Sequence, residues 1–97
     1  MILEHPNILV ISMDHLVALF IKRALLSNIN KLDPTTPHYK EIKKGAGIIW
    51  NFYYRYVFYE TESLSHAHQR FTHALETNTI DTTYMKMYLA VFGPCWQ

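Results

Sequence analysis

The spacing of apolar residues near the start of the chain predicts a helix. Apolar side chains recur three and four positions apart, at Leu16, Val17, Phe20, Ile21, Ala24 and Leu25. This spacing places them on one face, with Lys22 and Arg23 together on another. Ser12 or Asp14 can cap the start, because their side-chain oxygens accept otherwise unpaired amide protons. We therefore expect a first helix over about 13–28.

A second helix is expected after a polar loop. Residues 27–36, SNINKLDPTT, have the composition of a loop, with Asp-Pro as its clearest turn signal. Thr36 is suited to an N-cap, and Pro37 to the first helical position, where its missing N–H costs nothing. Gly45 and Gly47 each weaken a helix by about 1 kcal/mol relative to alanine, so we expect a kink or break near them.

The last third of the chain predicts two more helices. A polar and an apolar stripe define a third helix over about 62–77. The sequence TNTID at 77–81 is typical of a turn, and Asp81 is suited to cap a fourth helix. Gly93 followed by Pro94 then marks the end of that helix, because glycine and proline commonly follow a helix C-terminus.

The stretch that follows Gly47 is rich in aromatic residues and admits two interpretations. Seven rings occupy the ten positions 50–59, and alternate residues over 48–58 would give a strand one fully apolar face. Such a strand would be about twice the usual length. It would also need a partner, and only residues 7–12, NILVIS, offer one. In a helix, the same stretch leaves a narrow polar stripe that contains Asn51 and Arg55.

The helical interpretation therefore predicts the fold. We expect an all-α protein, with residues 1–97 forming a single small domain of about four helices in a bundle-like array. The alternative is an α+β fold with strands at 7–12 and 48–58.

Composition points to an interaction surface. Of the 97 residues, 49% are hydrophobic and only 18% are charged, against a usual charged share of about 25%. A small protein has much surface to cover, so some apolar side chains are expected outside, and exposed apolar patches mark interfaces. Aromatic residues, Met and Arg are enriched at such interfaces, and a second group of them occurs at Tyr84, Met85, Met87, Tyr88 and Phe92.

We therefore predict a non-enzymatic protein–protein interaction module. It would be a small adaptor, regulator or inhibitor that covers a partner's surface, or a homo-oligomer, and its partner would be another protein or itself. The predicted contact residues are Trp50, Tyr53, Tyr54, Arg55 and Phe58.

Binding of single-stranded nucleic acid is the alternative function. The net charge is only +1, but residues 22–55 hold seven basic and two acidic side chains. Within 39–56, positive charge is combined with rings on which bases can stack, the two components of a single-strand site. The phosphate-binding candidates are Lys40, Lys43, Lys44 and Arg55. The lysines precede the rings instead of alternating with them, and the charge excess is small for a nucleic-acid domain.

A stripe of the third helix offers a weaker metal-binding candidate. Glu62 with His66, and His73 with Glu76, stand about one turn apart, as metal ligands on a helix can. His66 and His73 are two turns apart, about 10.5 Å, and cannot share one ion. A solvated polar face explains the stripe equally well. His68, beside the apolar face, is expected to be a helix-packing histidine.

No catalytic grouping or cofactor is predicted. No nucleophile occurs in a recognisable setting, and the Lys-Lys-Gly-Ala-Gly sequence at 43–47 lacks the order of a phosphate-binding loop. A single cysteine, Cys95, excludes an intramolecular disulfide and fits a reducing compartment. The longest apolar run near the start, Leu16–Ile21, is far below the ~20 residues that span a bilayer. With no signal peptide recognised either, we expect a cytoplasmic protein without a membrane partner.

Overall fold

A computed structural model of the protein describes residues 13–59 and 62–93, and within them every regular element is helical. The four α-helices are α1 (Met13–Lys31), α2 (Tyr39–Tyr54), α3 (Leu64–Thr77) and α4 (Ile80–Phe92). A π-helical turn, Arg55–Tyr59, continues α2. The predicted all-α fold is confirmed. The strand alternative is wrong for 48–58, which is helical, and its other strand, 7–12, lies outside the described residues.

The core is organised around α2, which packs against the other three helices and most extensively against α4. Each helix supplies buried apolar side chains, and α2 supplies the most. The buried set is Ala18, Ile21 and Leu25 from α1, Ile42, Ala46, Ile49 and Tyr53 from α2, Val57 from the π-helical turn, Ala67 and Phe71 from α3, and Met85 and Tyr88 from α4. Burial of these faces, more than intrinsic helix propensity, is what holds short helices of this kind together in water.

The first helix is longer than predicted. It continues to Lys31, through residues whose composition suggested a loop. Two contacts with the core account for the extra turn. The amide of Asn28 donates a hydrogen bond to the hydroxyl of buried Tyr88 at 2.9 Å, and Ile29 packs against the core. Tertiary contacts therefore outweigh the modest helix propensities of Asn and Ser.

The second helix begins at Tyr39, later than predicted, so the assignment of Thr36 as its N-cap is wrong. The carboxylate of Asp33 accepts hydrogen bonds from the backbone N–H and the hydroxyl of Thr35, at 2.9 and 2.8 Å. Because of this turn, the helix starts two residues later than predicted. The N-cap is His38, in the left-handed region at φ 63°, and its side chain makes no capping bond to the backbone.

The expected break at Gly45 and Gly47 does not occur, since α2 runs through both. The backbone of α4 instead passes directly beside Gly45, where a side chain would collide with Tyr84. The irregularity comes later, at the π-helical turn. There Nε2 of His15 donates to the carbonyl oxygen of Val57 at 3.0 Å, which ties the start of α1 to this turn.

Side-chain caps define the two short helices. Ser63 caps α3 by accepting from the backbone N–H of His66 at 3.2 Å, and Asp14 of α1 accepts from the N–H of Leu64 at 3.0 Å. Asp14 therefore caps α3 rather than its own helix. The fourth helix is capped by Thr79, not by Asp81, which lies in its first turn. It ends before Gly93, as predicted.

Candidate functional site

The structure divides the predicted aromatic contact residues between core and surface. Tyr53 is only 1% exposed, and its hydroxyl lies 3.0 Å from Nδ1 of His68, within hydrogen-bond distance. Tyr53 is therefore a core residue, a correction to its predicted role, and His68 packs between helices as expected. In the second aromatic group, Met85 and Tyr88 are also buried.

Three of the predicted contact residues form a half-buried aromatic row. The ring of Tyr54 lies 5.3 Å from that of Trp50 and 5.6 Å from that of Phe58. The row faces α1, because His15 stacks on Phe58 at 4.6 Å and the ammonium of Lys22 lies 5.6 Å from the Trp50 ring. Arg55, the fifth predicted contact residue, is exposed.

An apolar groove lies next to this row, between α1 and α2. Its volume is about 230 Å³, and Lys22, Leu25, Leu26, Ile29, Lys43, Ala46, Gly47 and Trp50 line it. The only charged groups in this lining are the two lysines, one on each helix. A concave apolar surface with a few placed charges is the usual form of a binding site, since the apolar part supplies affinity and the charges fix orientation.

The outer side of α1 carries exposed apolar side chains, and two of them, Leu16 and Phe20, were predicted to lie on its single apolar face. We call this set the α1 ridge: Met13, Leu16, Leu19, Phe20 and Leu26. Phe20 is 63% exposed and Met13 is 72% exposed. A sequence signal was present, because the unbroken apolar run Leu16–Ile21 must cover every side of a helix. Leu26 belongs to both the ridge and the groove, so the two form one continuous surface.

The cations proposed for nucleic-acid binding differ in their surroundings. Lys43 lines the groove beside α1. Lys44 lies on the α4 side, with its ammonium 4.5 Å from the ring of Tyr84. Lys40 and Arg55 are exposed but do not line the groove. The structure thus brings one of the four predicted cations, Lys43, to the same groove as the ring of Trp50.

In the predicted metal stripe, the carboxylate of Glu62 is paired with an arginine. Both carboxylate oxygens of Glu62 accept hydrogen bonds from the guanidinium of Arg70, at 2.9 and 2.8 Å. His66 and His73 border a shallow depression together with Arg70, and Glu76 is exposed on the same helix. Within residues 13–59 and 62–93, no three His, Cys, Asp or Glu side chains are grouped to hold a metal ion.

The Glu62–Arg70 pair predicts a measurable pH effect. The hydrogen bonds from Arg70 lower the pKa of Glu62 below its ordinary value. The stabilisation is therefore fully present above the ordinary glutamate pKa, and it is lost as pH falls through the lower pKa of the folded protein. We expect an NMR titration to find this lowered pKa in the wild type and a value nearer the ordinary one in Arg70→Gln. An unchanged pKa in Arg70→Gln would contradict the assignment.

Comparison with protein-family models, with curated proteins and with solved structures finds no match to this chain. Among the described residues, no helix combines the length and the apolar character needed to cross a bilayer.

Proposed function

We propose that this protein is a non-enzymatic protein-interaction module that binds a partner through the α1 ridge and the adjoining groove. It acts as a small adaptor, regulator or inhibitor by covering its partner's surface, or it assembles with itself. The lone cysteine suits a reducing compartment, so we propose that it works in the cytoplasm.

The observation that carries this proposal is the continuous apolar surface of α1. The ridge leaves five large apolar side chains exposed on one helix, although the same helix also supplies Ala18, Ile21 and Leu25 to the core. Apolar surface of this kind is costly to hydrate and marks interaction sites in soluble proteins. The groove adds the concave element in which an anchoring side chain can be buried, as at interface hot spots.

The aromatic row contacts α1 next to the same surface. Trp50 lines the groove, and Tyr54 and Phe58 continue the row toward His15 at the start of α1. These rings hold α1 in place against α2, which keeps the groove open between two rigid helices. Among the predicted contact residues, Trp50 is the one whose half-buried ring forms part of the groove lining.

Site-specific photo-crosslinking tests the proposal. Phe20 is replaced with a benzophenone amino acid in the full chain, and the protein is irradiated in the cells that make it. We expect a protein adduct, either a second copy or another protein, because position 20 lies at the centre of the ridge. Adding Leu16→Asp should reduce the yield by about tenfold, the effect of losing one strong contact.

A probe at position 69 is the control. Gln69 is exposed on α3, outside the ridge and the groove. If positions 20 and 69 give the same adducts in the same yield, or if neither reacts with protein, the proposed function is wrong. A circular dichroism spectrum of each variant verifies that the fold is retained.

A further inference from the structure

The described charged side chains that line the groove and the adjoining outer side of α1 are all basic. Lys22, Arg23 and Lys31 of α1 and Lys43 of α2 border the surface. Among the described residues that line the groove and the outer side of α1, none is acidic. The only carboxylate of α1, that of Asp14, accepts from the backbone of α3. A ligand of this surface therefore meets apolar groups surrounded by cations.

We propose, on the basis of the proposed function, that the partner presents an acidic amphipathic α-helix to this surface. Its apolar side chains lie along the ridge, and one of them enters the groove between Leu26 and Trp50. Its carboxylates flank that anchor and face Lys22 on one wall of the groove and Lys43 on the other. Complementary charge of this kind fixes register and raises the association rate.

The form of the surface favours a helical ligand. The exposed residues follow α1 at helical spacing along its 19 residues, so a second helix can pack its side chains between them. A helix also satisfies its own backbone hydrogen bonds. A peptide that binds by strand addition needs a sheet edge to pair with, and no strand is present in the described part of the chain.

The charge pattern argues against a second copy as the occupant. Two ridges packed face to face would bring Lys22, Arg23 and Lys31 of each copy into one interface. Within the described ranges, neither copy has an acidic residue lining the groove or the outer side of α1 to pair with them. Like charges placed close together in an interface oppose association, so the partner is expected to be a different protein.

The side chains of the ridge favour protein over nucleic acid. Bases stack on flat rings, whereas the ridge is mainly Met and Leu, with Phe20 as its only ring. Trp50 already has the ammonium of Lys22 over its ring. A lipid surface would contact the convex ridge, but a flat bilayer does not account for a recessed apolar groove with a lysine on each wall.

Two matched peptides test the proposal by fluorescence anisotropy. Each has 19 residues, the length of α1, and carries Leu three and four positions apart in alternation. One carries Glu at the flanking positions and the other carries Lys. We expect the wild type to bind the Glu peptide at least about tenfold more tightly than the Lys peptide. The variant Lys22→Glu/Lys43→Glu should reverse this preference.

A second charge-reversal variant controls for net charge. Lys40→Glu/Lys86→Glu makes the same charge change on residues that do not line the groove, and we expect it to retain the preference for Glu. The proposal is overturned if the wild type binds both peptides equally, or if the two variants behave alike. It is also overturned if the wild type binds oligothymidylate or phosphatidylserine vesicles through Lys22 and Lys43 while ignoring the Glu peptide.

Sedimentation of the free protein addresses self-association. A dimer that excludes the Glu peptide would assign the surface to a second copy and overturn the acidic-helix proposal. The two proposals fail separately. A protein adduct at position 20 without a preference for the Glu peptide retains the interaction module and rejects the acidic helix. Absence of the adduct rejects the module itself.

Discussion

Replacing Gly45 with alanine is expected to destabilise the protein by about 3 kcal/mol or more. A Cβ at this position would lie 2.7 Å from the carbonyl carbon of Tyr84 and 3.2 Å from the backbone nitrogen of Met85, and closer still to the Tyr84 oxygen. These are backbone atoms, so rotation of a side chain cannot relieve the collision. The helices α2 and α4 must separate, and that opens the most extensive helix contact in the fold.

The loss is large relative to the stability of so small a domain. Domains of this size are stable by about 5–15 kcal/mol. A loss of 3 kcal/mol corresponds to a fall in melting temperature of about 12 °C or more. Thermal unfolding followed by circular dichroism, together with urea titration, measures both quantities.

Gly47→Ala is the matched control and is expected to act in the opposite direction. A Cβ on Gly47 would meet no atom within 4 Å. Alanine is favoured over glycine in a helix interior by about 1 kcal/mol, so this variant should melt a few degrees higher than the wild type. Equal effects at the two glycines would contradict the described packing of α2 on α4.

The contrast between these glycines shows how far local sequence reasoning extends. Helical periodicity and turn chemistry were sufficient to predict four helices and the stop at Gly93. Both glycines were predicted to weaken the second helix, because helix propensity describes a residue within its own helix and takes no account of the helices packed against it. The role of Gly45 depends on α4, which is distant in sequence, and no local pattern specifies where two helices approach closely. The same limit applies to Asp14, whose carboxylate caps α3 instead of α1.

The candidate site was predicted in part, for a related reason. The composition of the aromatic stretch indicated more rings than one small core needs, and Trp50, Tyr54 and Phe58 do lie at the edge of the core. Tyr53 does not, because its hydroxyl finds a partner in His68 of α3, which composition could not indicate. The face that α1 buries was predicted in part. Ile21 and Leu25 are buried as the periodicity indicated, whereas Leu16 and Phe20 of the same predicted face are exposed and belong to the α1 ridge. Apolar residues surround this helix, so periodicity alone does not specify which of them meet the core.

Truncation of Phe71 to alanine is the second substitution with a large expected effect. The side chain is fully buried, and its ring contacts those of Phe52 and Tyr53, with centroids 5.9 and 5.8 Å away. Its ring also lies 6.2 Å from that of His68. Removing it leaves a cavity between α2 and α3, and substitutions of this type cost about 3–5 kcal/mol. We expect the melting temperature to fall by at least about 12 °C.

Phe20→Ala makes the same chemical change on the α1 ridge and should leave stability almost unaltered. Its ring is 63% exposed, so its removal creates no cavity, and surface substitutions usually change stability by about 0.5 kcal/mol or less. Urea unfolding of both variants measures the difference. A large loss in Phe20→Ala would mean that the ridge is part of the core, and its apolar side chains would then give no reason to expect a partner. Intact stability with loss of partner binding assigns the ridge to interaction, because the Phe20 ring then contributes to the contact with the partner and not to the core.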